Sequence, residues 1–484
     1  MQFRPVLLAL GIMTGLLGFA MLPSALIDLL TGNADWVVFA STSFVSMLSG
    51  ICIRIMAYEP NLRTGQREAF LLTVLVWVVL PLVAAVPFLG IGLNFTDAMF
   101  ESISGLTTTG ATILTDLDTL PPGLLLWRAV LQWIGGIGII VTAIAILPSL
   151  RVGGMQLFQI ESSDQSGKFL PRVTEIAVQT GAVYLVGSLA CAAAYSLSGL
   201  TLFDSVTHAM TTMSAGGFST RDESFAAFAG TPAPLVATFF MIIAGLPFSL
   251  LVLALFQGRP LDLFRDPQPR LFLALVLGMA SLITAYHAFA LAPETVVGRP
   301  EGFDQALFNI VSITTGTGYA SAPYDTWGPP VVMLFLVACF LGGCAGSAAC
   351  GIKMFRLEIS AKAVFAHAQR VVRPHRLAPV RYNGHAVDED TLQSVMVFVF
   401  LYVASFMVGA ALLGVTGEDA ITAISAAAAS VSNVGPGLGE VVGPQGTYQP
   451  LTDMGKWICA LLMLLGRLEF VAVFVVLSRR FWFA

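Results

Sequence analysis

At 484 residues with a formal net charge of −5, the chain is 56% apolar and only 11% charged, against about 45–50% and about 25% in ordinary soluble domains. So much apolar surface does not fit inside a water-soluble globule, and the composition predicts an all-α polytopic membrane protein. The small net charge names no partner, and without an arginine-rich tract interleaved with aromatics the chain is not read as a nucleic-acid binder.

The first apolar run, "MQFRPVLLALGIMTGLLGFAML", has Arg4 as its basic flank and leads into Pro23 without a small-x-small cleavage site, so it reads as a retained helix rather than a signal peptide. A bilayer-spanning helix needs about 20 mostly apolar residues. Ten such runs follow in order, near 5–29, 36–57, 69–90, 124–148, 174–198, 233–256, 270–291, 330–366 (with interruptions), 392–413 and 454–478. Between certain pairs lie hydroxyl-rich segments near 95–112, 203–220, 303–321 and 418–437, too short and too polar to span. Each opens near an acidic residue, Asp97, Asp204, Asp304 or Asp419, read as the N-terminal cap of a short helix. The cysteines, Cys52, Cys191, Cys339, Cys344, Cys350 and Cys459, all fall in apolar segments without zinc or disulfide spacing and read as packing residues.

Basic residues orient these spans. The N-terminus, 54–68, 151–172, 259–270, 356–381 and the C-terminal end carry all of the 24 Lys and Arg except Arg128, Arg221, Arg299, Lys456, Lys353 and Arg467. Of those six, the first four lie near the opposite face, and Lys353 and Arg467 fall inside predicted spans. The asymmetry places both termini in the cytoplasm, and the four short segments then enter from the outer face.

Laid over one another, the short segments read "SGLTTTGAT", "TTMSAGGFS", "SITTGTGYA" and "ASVSNVGPG". A glycine recurs at one register, Gly110, Gly217, Gly318 and Gly435, and six positions earlier stand the small residues Ser104, Thr211, Ser312 and Ala429. The chain therefore reads as two extra N-terminal helices (1–60) and four span–short helix–span repeats at 61–150, 151–258, 259–381 and 382–484. Non-helical backbone at membrane depth is tolerated only where protein or a water-filled cavity satisfies it, and four such loops satisfy one another by surrounding an axis. Glycine at the shared position permits φ > 0, and a ring of carbonyl oxygens replaces the hydration shell of a monovalent cation. The candidate filter residues are Thr108, Thr109, Gly110, Ala215, Gly216, Gly217, Gly316, Thr317, Gly318, Asn433, Val434 and Gly435.

On "TTTGAT", "MSAGGFST", "TTGTGYAS" and "SNVGPG", together with "GGCAGSAACGIK" and "LLGRLE", essentially the whole chain resembles the superfamily of bacterial Trk/Ktr and plant high-affinity potassium transporters, and within it the TrkH branch. The resemblance implies one permeation pathway per subunit, K+ as the transported ion, and a homodimer in the bacterial inner membrane. It also implies a cytoplasmic ring of TrkA-like regulatory subunits, with nucleotide (ATP/ADP or NAD) on that partner and no cofactor in this chain. In the plant relatives a serine at the first loop's glycine goes with sodium preference; glycine in all four loops here favours potassium. The unlike residues preceding the four glycines imply fewer high-grade sites and looser discrimination.

Within the longest span, "FLGGCAGSAACGIKMF" interrupts the helix with Gly342, Gly343, Gly346 and Gly351, alongside Ser347 and Cys350. Each interior glycine costs about 1 kcal/mol relative to alanine, so this piece is expected to unwind into an intramembrane gate below the filter; close small-xxx-small helix packing is the alternative. Arg467 in "MLLGRLEFV" is expected on the pore side, where its charge repels a resting cation and pairs with carbonyls of the glycine-rich loop. Pairing with Glu469, or snorkelling, are its alternatives. Lys353 belongs to the same gate or marks where the broken helix emerges.

Other residues carry weaker readings. His208 reads as a satisfied interior histidine, with no Cys/His/Asp set at metal spacing nearby. "GGIGII" (135–140) reads as close helix contact, and Asp97 and Glu101 either concentrate cations at the outer mouth or cap the first short helix. The basic run 356–381 reads as a lipid-contacting anchor and as the surface for the cytoplasmic partner. With no Ser-Lys, paired-Asp or zinc set at membrane depth, no enzymatic chemistry is expected. The rival within the same fold is a sodium-permeable or proton- or sodium-coupled symporter.

Overall fold

A chain immersed in lipid must satisfy its backbone N–H and C=O groups internally, which selects helices. The structure, a computed structural model, describes residues 2–59, 65–142, 169–289, 298–373, 379–468 and 470–483. Among the described residues, seven helices are long and apolar enough to cross a bilayer: Arg4–Thr31, Trp36–Ala57, Gln66–Gly90, Pro122–Val141, Ala177–Leu197, Pro267–Ala288 and Glu389–Val415. Burial is inverted relative to a soluble protein. Leu197, Val415 and Met56 are more than 80% exposed on the outside, while Thr107, Thr108, Thr109, Ser312 and Thr317 are fully buried at the centre.

Three of the ten expected spans are broken. The run 233–256 divides into Ala233–Gly245 and Phe248–Phe256, bent by 102° where Pro247 begins a new helix. The run 330–366 stops at Phe340 and resumes at Met354. The last run ends its first helix at Arg467 and restarts at Phe470. These three are the second spans of repeats 2, 3 and 4. The one sheet among the described residues is a two-stranded hairpin pairing Arg381–Tyr382 with His385–Ala386, a small departure from the all-α expectation.

The extra N-terminal helices pack glycine to glycine: a Cβ on Gly50 would lie 2.6 Å from the Gly11 carbonyl and 2.7 Å from the Gly15 nitrogen. They are pinned to repeat 1 by Asp28, whose carboxylate accepts from Gly123 N (2.7 Å) at the start of Pro122–Val141. That N–H is among those a helix start leaves without an intrahelical partner.

The four short helices are Phe95–Leu106, Leu202–Met213, Phe303–Thr315 and Ala420–Ser432. Their capping differs from expectation in three cases. Asn94 and Thr201 are the N-caps, accepting from Asp97 N and Asp204 N, so those two aspartates sit in the first turn instead. The third helix starts at Gly302 with no side-chain cap, and only Asp419 caps as expected, accepting from Ile421 N and Thr422 N. A carboxylate in the first turn still complements the helix dipole, which is why all four starts attract one.

Candidate functional site

Each short helix ends in the same way, and the ending explains the shared register. The residue two before the register glycine adopts left-handed φ in all four loops: Thr108 (54°), Ala215 (52°), Gly316 (81°) and Asn433 (52°). In loops 1, 2 and 4 the next residue donates its N–H to the carbonyl five back, Thr109 to Ser104 (2.9 Å), Gly216 to Thr211 (2.9 Å) and Val434 to Ala429 (2.9 Å). In loop 3 the donor is Gly318 N, to Ser312 O (3.2 Å). The turns of loops 1, 2 and 4 are of the Schellman type, and all four are closed by a left-handed residue. The small residue six before each glycine thus supplies the acceptor carbonyl. Thr108 is β-branched and an outlier at positive φ, so surrounding contacts hold it there.

Beyond the turns the loops close into a ring. A Cβ on Gly110 would lie 2.1 Å from Gly216 O, and one on Gly217 would lie 1.6 Å from Thr317 O. A Cβ on Gly318 would lie 2.8 Å from Pro436 Cδ and 2.9 Å from Gly435 N, and one on Gly435 would lie 2.8 Å from Gly110 O. Loop 1 therefore abuts loop 2, 2 abuts 3, 3 abuts 4, and 4 returns to 1, with backbone against backbone at most of the seams. Gly110, Gly217 and Gly318 also have the expected positive φ, but Gly435 does not. It precedes Pro436, which restricts the preceding residue to extended backbone, so close approach alone requires glycine there.

Above the ring all four register glycines line one vestibule of about 510 Å³ including its open mouth, together with Arg128, Arg221, Asp222 and Tyr448. Its wall is braced by a buried pair missed in the sequence. Arg128 Nε donates to Glu101 Oε1 (2.7 Å), Nη1 to Ser219 O (3.0 Å) and Nη2 to Thr112 Oγ1 (3.1 Å). Glu101 is fully buried and neither concentrates cations at an open mouth nor caps the helix: the cation it holds is Arg128. Asp97 pairs with Lys456 (2.7 Å), joining repeats 1 and 4. Arg221 bridges Asp118 (2.8 Å) and Asp204 (2.9 Å), joining repeats 1 and 2, and this bonding holds the Asp118 carboxyl below its ordinary value. His208 is a satisfied interior histidine, bonded to Asp204 O (2.8 Å) and Ser219 Oγ (3.1 Å). No group of three metal-ligating side chains occurs among the described residues.

Below the ring, residues 341–353 are non-helical, as the glycine content predicts. They are held by backbone bonds rather than by close helix packing. Cys344 N donates to Gly245 O (2.9 Å), Ala348 N to Ala244 O (3.1 Å), and Phe248 N to Gly346 O (3.0 Å), so this segment fills the bend of the broken helix in repeat 2. Gly346 and Gly351 take positive φ. Gly342 and Gly343 are closely approached by Cys350 O and Ala349 Cβ, and Ser347 Oγ donates to Cys344 O (2.6 Å).

Cys350 carries the contact with the ring. Its N–H donates to Thr315 O (3.3 Å) at the inner end of the third short helix, and its sulfur lies 3.7 Å from Thr108 Oγ1. A Cβ on Gly316 would lie 3.2 Å from both Cys350 Cβ and Asn433 O. Cys350 thus lies against loops 1 and 3. Reading it as mere packing missed this role, because the contact with Thr108 spans 242 residues of sequence. Arg467 is 4% exposed and donates Nη1 to Cys350 Sγ (2.6 Å) and Nη2 to Gly135 O (3.4 Å). It does reach the glycine-rich loop, through a thiol and not a loop carbonyl; Glu469 lies outside the described residues. Lys353 stands where the helix resumes and donates its ammonium to Ala349 O, so it both marks the exit and ties down the loop.

A family model described as TrkH, cation transport protein, matches residues 37–481. The chain belongs to the TrkH family. Among its relatives in that family, the Trk system potassium uptake protein TrkI of Halomonas elongata is 38% identical over 99% of this chain and 97% of that protein. TrkH of Vibrio parahaemolyticus is 36% identical over the full length of both chains, and TrkH of Escherichia coli 34%. The crystal structure of the potassium transporter TrkH from Vibrio parahaemolyticus superposes with a TM-score of 0.90 over 100% of both chains. A TrkH-family fold therefore accounts for the whole polypeptide, including the two extra helices at its start.

Proposed function

We propose that this chain takes up potassium through the ring formed by its four loops, one pathway per subunit, without covalent chemistry. The observation that carries the reading is that Gly110, Gly217, Gly318 and Gly435, each from a different repeat, line one vestibule. A dehydrated K+ needs several oxygen ligands at once, and backbone from 108–110, 215–217, 316–318 and 433–435 is what this chain brings to a single axis. The C-terminal ends of the four short helices direct partial negative charge towards the ring's inner end. Relatives bearing the name potassium uptake protein support potassium as the cargo.

In the same reading the 342–351 loop, latched by Arg467 through Cys350 and steadied by Lys353, closes the pathway beneath the filter. A guanidinium in the conduit repels a cation, and breaking the latch opens it. The subunit works as a homodimer in the bacterial inner membrane with both termini in the cytoplasm. A TrkA-like nucleotide-binding ring relaxes or engages the gate from below, docking near the basic helix Met354–Val372.

Expression in a bacterium lacking potassium uptake tests the cargo: growth at low potassium is expected, and failure despite membrane insertion overturns the proposal. In proteoliposomes, flux against imposed K+, Na+ and pH gradients separates a K+ pathway from a sodium-permeable or ion-coupled transporter. Flux that requires a sodium or proton gradient selects the second.

A further inference from the structure

We propose that Gln132 sets the ion preference of the filter by holding the backbone of a loop that belongs to a different repeat. The inference rests on the pore reading above and adds to it a positioning residue. Gln132 lies on Pro122–Val141, the second helix of repeat 1, and is fully buried. Its Nε2 donates to Gly216 O (2.7 Å) and its Oε1 accepts from Phe218 N (3.0 Å). The two bonds bracket Gly217, the register glycine of loop 2. They use the donor and the acceptor of a carboxamide in the way a neighbouring peptide group would, and Asn and Gln are the side chains that carry such an amide.

Two further contacts make this a built clamp. Arg128, one turn earlier on the same helix, donates to Ser219 O (3.0 Å) and its guanidinium lies 4.1 Å from the centre of the Phe218 ring. Residues 216–219 of loop 2 are thus shaped by a helix of repeat 1. Gly216 shows the reciprocal constraint: a Cβ there would lie 2.4 Å from the Gln132 carboxamide carbon, so the amide occupies the space that any side chain would need. The second helices of the other repeats, Ala233–Gly245, Pro329–Phe340 and Asp453–Arg467, contain neither Asn nor Gln. Among these second helices, only that of repeat 1 supplies a carboxamide to a loop.

Selectivity against a smaller ion depends on oxygens that do not follow it inward, and a peptide gripped on both sides resists that adjustment. Removing the grip lets the loop accommodate sodium. The full-length protein in proteoliposomes, with flux of K+, Rb+ and Na+ measured in parallel, reads this directly. Gln132→Met keeps the length and loses both bonds; Gln132→Glu keeps the acceptor for Phe218 N and loses the N–H to Gly216 O. The K+/Na+ flux ratio is expected to fall about fivefold or more in Gln132→Met and by less in Gln132→Glu, the scale of one or two buried hydrogen bonds. A ratio that equals wild type in a conducting variant overturns the inference, because a purely structural residue changes the amount of active protein and not its ion ratio. Failure of both variants to assemble also overturns it, by assigning Gln132 to folding alone. Wild-type protein without potassium-selective flux would instead overturn the pore reading, so the two failures are distinct.

Discussion

Gly217→Ala tests the ring directly. The new methyl carbon would stand 1.6 Å from Thr317 O and 2.7 Å from Thr317 C, backbone atoms with no flexible end to swing away. Restoring ordinary van der Waals contact at 3.4 Å requires a separation of about 1.8 Å between loops 2 and 3, and left-handed φ adds roughly 1–2 kcal/mol for a non-glycine residue. A coordination ring opened by that much no longer presents its oxygens to one ion, and rubidium flux into proteoliposomes is expected to fall by about two orders of magnitude, as misplacement by 1 Å does in other preorganised sites. Gly230→Ala is the control. Gly230 has nearly the same φ, 81° against 77°, but nothing within 4 Å of its added Cβ, so it carries the backbone strain without the clash and should retain flux within about twofold. Wild-type flux in correctly assembled Gly217→Ala would refute the argument that loops 2 and 3 meet at the conduction axis.

Arg467→Ala removes the latch on Cys350 and is expected to raise partner-free flux by about tenfold or more, read in proteoliposomes at matched protein density; unchanged flux removes the gate while leaving the ring. Glu101→Gln leaves Arg128 buried without its counter-charge and should destabilise the protein by about 3–5 kcal/mol, seen as earlier thermal aggregation in detergent. For the Asp118–Arg221 pair, the folded carboxyl titrates below its ordinary value of 3.8. Its contribution is complete above that value and is lost as pH falls through the lowered one. Asp118→Asn should therefore lower thermal stability slightly at pH 7 and flatten the loss of stability on acidification below about pH 4, checked by melting in detergent from pH 7 to pH 3. A slope unchanged from wild type would remove the pair from the acid response.

The glycine register was legible because helix termination and loop contact are local requirements repeated four times, and Ser104, Thr211, Ser312 and Ala429 recur as the acceptors of the same turn. The unwound 341–353 segment was legible because Gly342, Gly343, Gly346 and Gly351 depress helicity wherever the chain goes. What stayed hidden depends on distant partners. Gln132 meets Gly216 across 84 residues and Arg467 meets Cys350 across 117, and neither spacing leaves a periodic trace. Arg128 reads in the sequence as a charge near one face, and only the fold brings Glu101 against it. The bend at Pro247 lay inside an uninterrupted apolar run, where hydropathy registers solvent preference but not direction. Gly435 shared the register for a different physical reason from the other three, which an aligned letter does not distinguish.

The ring is closed by one polypeptide, and this affects how it can change. In an assembly of four identical chains every substitution strikes all four walls together; here each quadrant answers to its own codons. A single mutation can loosen the wall that Gln132 supports while the Asn433 wall stays as it was. On the pore reading proposed above, preference among alkali metals is open to adjustment in quarter steps, by a gene that never has to alter the whole aperture at once.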